Sequence, residues 1–399
     1  MKRKIIIILI SFCFLLSSKT VFANEYIENN FRKIKIKESK IKSVKYMSDK
    51  DQEETLEEAE DEYNIKGFLS SAKGYTEDIK IDDVYKSSIT GDFNNKKFLN
   101  VIFSLFSKTF KETIKNFSSI IVIILISTIL KSIADNLGNE SVSKIAYFAE
   151  FALILTILLK NFSEIIIEMK KSLENLLSFS NTLIPLLSTL LIASGHISAS
   201  SILEPLLILL VTFACNFIKN AVIPLILIST AVGIISNISD EVQLHRFSKF
   251  LKKGAIWVLT CILSLIISIA SLESNLSANV NGVTKKASKT IISSAIPVVG
   301  NILANAIETI TGYGNIIKNA TGVIGIIVVL AICIKPISKL ATYTIFYSLV
   351  SSLIEPITDK KIVGTFDVII GSFKVFLGCM FATAVMSIIG LAIVIKIAS

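Results

Sequence analysis

Four ionisable residues interrupt apolar runs of this chain: Glu150, Glu204 (just before Pro205), Lys335 and Asp367. At the centre of a bilayer-spanning helix each would cost about 2.5–3.5 kcal/mol, so such groups either couple ion or proton movement or sit near span ends and pair inside a bundle. Both readings fit these positions. No chain of carboxylates recurs at i, i+4, so a proton relay is not expected. Hydrolytic and metal chemistry have little to stand on. The chain has 2 histidines, His196 and His245, too few for a multi-histidine metal site, and zinc-type Cys/His spacing does not occur. Neither G-x-S-x-G, nor a Walker P-loop, nor H-E-x-x-H is found. No enzyme activity, metal or cofactor is expected.

The body that must hold these residues is membrane-like. The chain has 399 residues, is 52% hydrophobic and carries a formal net charge of +9, and its mean hydropathy is +0.67. That composition points to a multi-spanning membrane protein. The charge does not indicate nucleic acid, because no basic stripe with interleaved aromatics is visible along the chain. The lysines cluster beside apolar runs, where they favour an anionic inner leaflet. Cys215, Cys261, Cys333 and Cys379 lie in four different apolar segments and read as small packing residues, with no disulfide framework.

The N-terminus reads as a cleaved export signal. Lys2, Arg3 and Lys4 precede an apolar run from Ile5 to Leu16, and Val21-Phe22-Ala23 suits a signal peptidase cutting between Ala23 and Asn24. The run is too short for a span, which needs about 20 residues. Phe12 is too bulky for Cys13 to be a lipidation site. Residues 24–100 hold 14 Lys and Arg against 17 Asp and Glu. They are expected to form a small polar exported region, partly disordered or helical, with a helical patch near Ile65, Phe68 and Leu69.

Residues 101–399 are expected to form a multi-spanning helical domain with about seven or eight spans. An amphipathic helix over 98–110 leads to candidate spans at 117–134, 145–162, 181–195, 200–218 and 221–238. A basic helix follows at 240–253, with Leu244, Phe247, Phe250 and Leu251 on one face. Its Arg246, Lys249, Lys252 and Lys253 are expected to meet lipid on the cytoplasmic side. Five spans from an exported N-terminus end inside, which agrees with that placement. A sixth span covers 255–272, beginning near Trp257. Within 290–310 an apolar face opposes Asn301, Asn305 and Glu308, while Pro297 breaks or starts the helix and Gly300 follows it. This segment is either a conduit-lining element or an interfacial amphipathic helix. Further runs lie at 321–334, 337–354 and 376–395, with Lys335-Pro336 and Lys374 as interruptions. The fold class is all-α: a polytopic helical membrane protein with a cleaved signal peptide and a small polar exported N-terminal region.

Several stretches resemble, in collinear order, the stage III sporulation protein AE family of endospore formers. They are Ser141-Val142-Ser143-Lys144-Ile145-Ala146-Tyr147-Phe148, Ile192-Ala193-Ser194-Gly195, Lys219-Asn220-Ala221-Val222-Ile223-Pro224-Leu225, Ile296-Pro297-Val298-Val299-Gly300, Ile316-Ile317-Lys318-Asn319-Ala320 and Glu355-Pro356. One departure is Ser293-Ser294-Ala295, where the family usually has a Gly-Asn-Phe-like lead. The resemblance implies a subunit of a secretion-like channel, or feeding tube, between mother cell and engulfed forespore. It implies as partners the other subunits of that complex, including a separate ATPase chain and a forespore-side protein. It also implies that 24–100 faces the space between the two membranes. The alternative is a stand-alone secondary transporter using Glu150, Glu204 or Asp367, which matched inverted repeats would favour.

Overall fold

The computed structural model describes residues 58–76, 79–90, 140–238, 244–264, 299–356 and 358–397, with single positions in 103–129 and at 268. Of 299–311 it describes the backbone alone. The signal segment with Ala23 and Asn24, most of 98–110 and 117–134, and Pro297 therefore lie outside the described residues. Every regular element among them is helical. The order is α1 (Ile65–Lys73), α2 (Ile81–Thr90), α3 (Glu140–Ala193), α4 (Ile197–Phe217), a π turn (Ile218–Val222), α5 (Ile223–Ile238), α6 (245–264), α7 (Val299–Ile354) and α8 (Lys360–Ile397).

Apolar runs expected as separate spans are joined in pairs. α3 has 54 residues and contains both the 145–162 run and most of the 181–195 run. At about 1.5 Å per residue it is roughly 80 Å long, against about 30 Å of bilayer hydrocarbon. Among the described residues, four helices are long and apolar enough to cross a membrane: Phe148–Ala193, Ser200–Ile238, Gly312–Ile354 and Lys360–Lys396. The expected breaks are absent. Pro336 lies inside α7, and Lys374 lies inside α8. A proline in a helix interior forfeits one hydrogen bond, a loss that neighbouring helices in a bundle can absorb. The Lys219–Leu225 stretch is a π turn followed by α5, and the helix does not reverse. Its wider i→i+5 pattern relieves the clash between the Pro224 ring and the carbonyl one turn earlier.

Where the chain does reverse, the cause is local. Gly195 sits at φ 80 between α3 and α4. Its N–H donates to Ile192 O at 2.8 Å, and the His196 N–H donates to Leu191 O at 2.9 Å. This paired closure needs a left-handed residue, which glycine supplies without a Cβ clash.

The core lies where α3, α7 and α8 meet. Phe373 of α8 is fully buried and packs on Phe162 at 5.6 Å, Tyr343 at 5.8 Å and Tyr347 at 5.6 Å between ring centroids. Such tilted pairs add about 0.5–1.5 kcal/mol each beyond area burial. The helical patch expected near Ile65 is α1, and it has no core of its own. Phe68 and Tyr75 instead close on Phe179 of α3, at 6.0 and 5.6 Å.

Candidate functional site

The most concentrated polar chemistry lies inside the α3–α7 contact. Asn161, Glu164 and Glu168 follow at i, i+3 and i+7, hence on one face of α3. Lys339, Tyr343 and Tyr347 follow at i, i+4 and i+8 on α7. Asn161 Nδ2 donates to the Tyr347 hydroxyl at 2.9 Å. Lys339 Nζ donates to Glu168 Oε2 at 2.8 Å, with side chains 22% and 17% exposed. Glu164 is close enough to act electrostatically on Tyr347. The second carboxylate oxygen of Glu168 is buried without a hydrogen-bond partner. Higher on α3, Glu174 pairs with Lys219 of the π turn. Charged groups thus bridge α3 to two neighbours between its two apolar stretches.

This seam corrects the expectation that no carboxylates recur at i, i+4, since Glu164 and Glu168 do. They fall between apolar runs, where polar residues read as a connection. The signal was present as two matched helical spacings on segments 171 residues apart.

The four residues first singled out do not converge. Glu150 is buried in α3, at 5% exposure. Glu204 accepts from Ser188 Oγ at 2.5 Å, and Ser200 Oγ donates to the Ser188 carbonyl at 3.0 Å. This makes a local polar node across the α3–α4 turn. Asp367 and Lys335 are exposed on α8 and α7. Gly300, Asn301, Asn305 and Glu308 lie in the first turns of α7, where the backbone is helical. A further cation is fully buried: Lys318 donates to Ile395 O at 3.2 Å. There it meets the electronegative C-terminal end of α8.

In the basic helix, Arg246, Lys249 and Lys253 are exposed. Lys252 departs from its expected place against lipid. Its Nζ donates to Val368 O of α8 at 2.6 Å, and burial pushes its amine down to about 8. The reason is helical phase. Ser248, one turn earlier, exchanges hydroxyl-to-carbonyl bonds with Ser229 of α5, both at 2.7 Å. A Cβ on Gly233 would lie 2.9 Å from Ser248 Oγ and 2.8 Å from Val368 Cγ1. Glycine there is what allows α5, α6 and α8 to approach so closely.

No solved structure matches the chain. Stage III sporulation protein AE of Bacillus subtilis (strain 168) is 25% identical over 312 residues, covering 77% of each protein. The family described as Stage III sporulation protein AE matches residues 79–398, from the start of α2 through all four long apolar helices. This chain belongs to the stage III sporulation protein AE family.

Proposed function

We propose that the chain is a polytopic subunit of a secretion-like channel linking the mother cell to the engulfed forespore and supporting forespore development. The observation that carries this reading is the family match running through all four long apolar helices among the described residues. In this role the protein sits in the mother-cell membrane around the forespore, and its N-terminal polar region is extracytoplasmic. It acts as a non-enzymatic component, with a separate ATPase chain supplying energy and a forespore-side protein completing the conduit. Deleting the gene should arrest sporulation after engulfment and leave vegetative growth normal. A growth or uptake defect in non-sporulating cells would overturn the proposal.

The α3–α7 seam favours a second reading, a secondary transporter, because it places two carboxylates and a lysine within a bundle of candidate spans. Glu150, Glu204 and Asp367 support it less, being dispersed over different helices.

A further inference from the structure

We propose that the exposed face of α6 is a binding surface for anionic phospholipid, built from alternating cations and aromatic rings. Arg246, Phe250, Lys253 and Trp257 follow at i, i+4, i+7 and i+11, which places them on one stripe of an α-helix. All four are exposed, Phe250 by 68% and Trp257 by 69%. Lys249 and Phe247 flank the stripe and are exposed as well. The diametrically opposite side is docked. Ser248 is clamped to Ser229 and Lys252 to Val368, while Ala255, Leu259 and Ile262 are buried. The clamps fix the helix about its own axis, so the stripe is presented rather than free to roll.

Charge and hydrophobicity together commit this face to lipid. Residues 244–264 contain no acidic residue, so the stripe has only cations to offer a headgroup layer. Large rings exposed beside those cations are unfavourable in water, but suited to the boundary between headgroups and acyl chains. The helix packs on α5 and α8, which belong to two of the four candidate membrane spans. This stripe corrects the expectation of no basic stripe with interleaved aromatics, because the alternation appears only at helical spacing. The same feature on a soluble protein would suggest nucleic acid, and the test separates the two.

Trp257 is the sole tryptophan of the chain, so its fluorescence reports this face alone. The full chain is reconstituted in mixed phosphatidylcholine and phosphatidylglycerol vesicles, with bromine on the acyl chains of one lipid or the other at equal mole fraction. Brominated phosphatidylglycerol should quench Trp257 more strongly, with an enrichment of about fivefold for each cation that reaches the headgroups. High salt should reduce the difference. The R246Q/K249Q/K253Q variant should abolish the preference while retaining quenching by total lipid. The K374Q variant, which removes an exposed cation from α8, should keep it. Unchanged thermal unfolding of each variant checks that the fold is intact. Equal quenching by the two lipids, or a preference that survives the triple variant, would overturn the proposal. So would a Trp257 that neither lipid quenches, because the face would then meet water, protein or nucleic acid.

Discussion

The side-chain amide of Asn161 donates to the hydroxyl of Tyr347 at 2.9 Å, joining α3 to α7 across 186 positions of sequence. Tyr347 is fully buried and packs edge-on against Phe366 at 5.6 Å. Together with the Lys339–Glu168 pair, this directional bond inside an aromatic cluster fixes the register of two very long helices, which apolar contact alone would leave free to slide.

Removing one partner should therefore cost more than removing both. Tyr347→Phe strands the Asn161 amide in the bundle, at about 1–3 kcal/mol. The N161L/Y347F pair should recover most of that loss. Denaturant titration of the purified protein in detergent, analysed as a double-mutant cycle, reads the coupling directly. A double variant no more stable than the weaker single would refute the pairing.

The Glu168–Lys339 pair separates structure from transport. Lys339→Met leaves a mostly buried carboxylate uncompensated and should destabilise by about 3 kcal/mol. E168M/K339M should restore much of the stability, because both charges leave together. If the seam only packs helices, spore yield should follow protein level in all three strains. Restored protein with absent spores would show that the charges themselves are needed.

Helical class and membrane character were legible from composition and periodicity, as was the α1 helix from Ile65, Phe68 and Leu69, though not its docking on Phe179 of α3. The number of reversals was not. Lys335-Pro336 and Lys219–Pro224 carry the local signs of a break, yet α7 runs on through one and a π turn absorbs the other. Fusing the 145–162 and 181–195 runs, and the 200–218 and 221–238 runs, removes crossings in a pair. The seam is not legible in sequence because its energetics lie in pairings of residues 171 and 186 positions apart. Only tertiary packing reveals which face of α3 meets which face of α7.

Glu204 should tolerate loss of its charge. In Glu204→Gln the side-chain carbonyl oxygen can still accept from Ser188, and the Ser200 bond to the Ser188 carbonyl is untouched. Spore counts should stay near wild type, as they should for Asp367→Asn, an exposed position on α8. Complete loss of spores from E204Q at normal protein level would assign the carboxylate a role in conduction.

Lys252 should make the docking of α6 depend on pH. Its amine lies at about 8 in place of 10.5, because burial disfavours the charged form. Below 8 the folded and unfolded chains both hold the proton, and the folded state bears the full cost of a part-buried cation. Between 8 and 10.5 the folded protein sheds the proton while the unfolded chain keeps it, so stability rises with pH across that window. Lys252→Met removes the titration, and the Val368 carbonyl still accepts from Ser372 Oγ at 3.0 Å. The variant should be the more stable protein at neutral pH on this account, and its advantage should shrink as pH rises towards 10.5. Denaturation midpoints of the two proteins across the window test this. A gap that does not change with pH would mean that the Lys252 amine, though turned inward, is still solvated enough to keep its ordinary affinity for the proton.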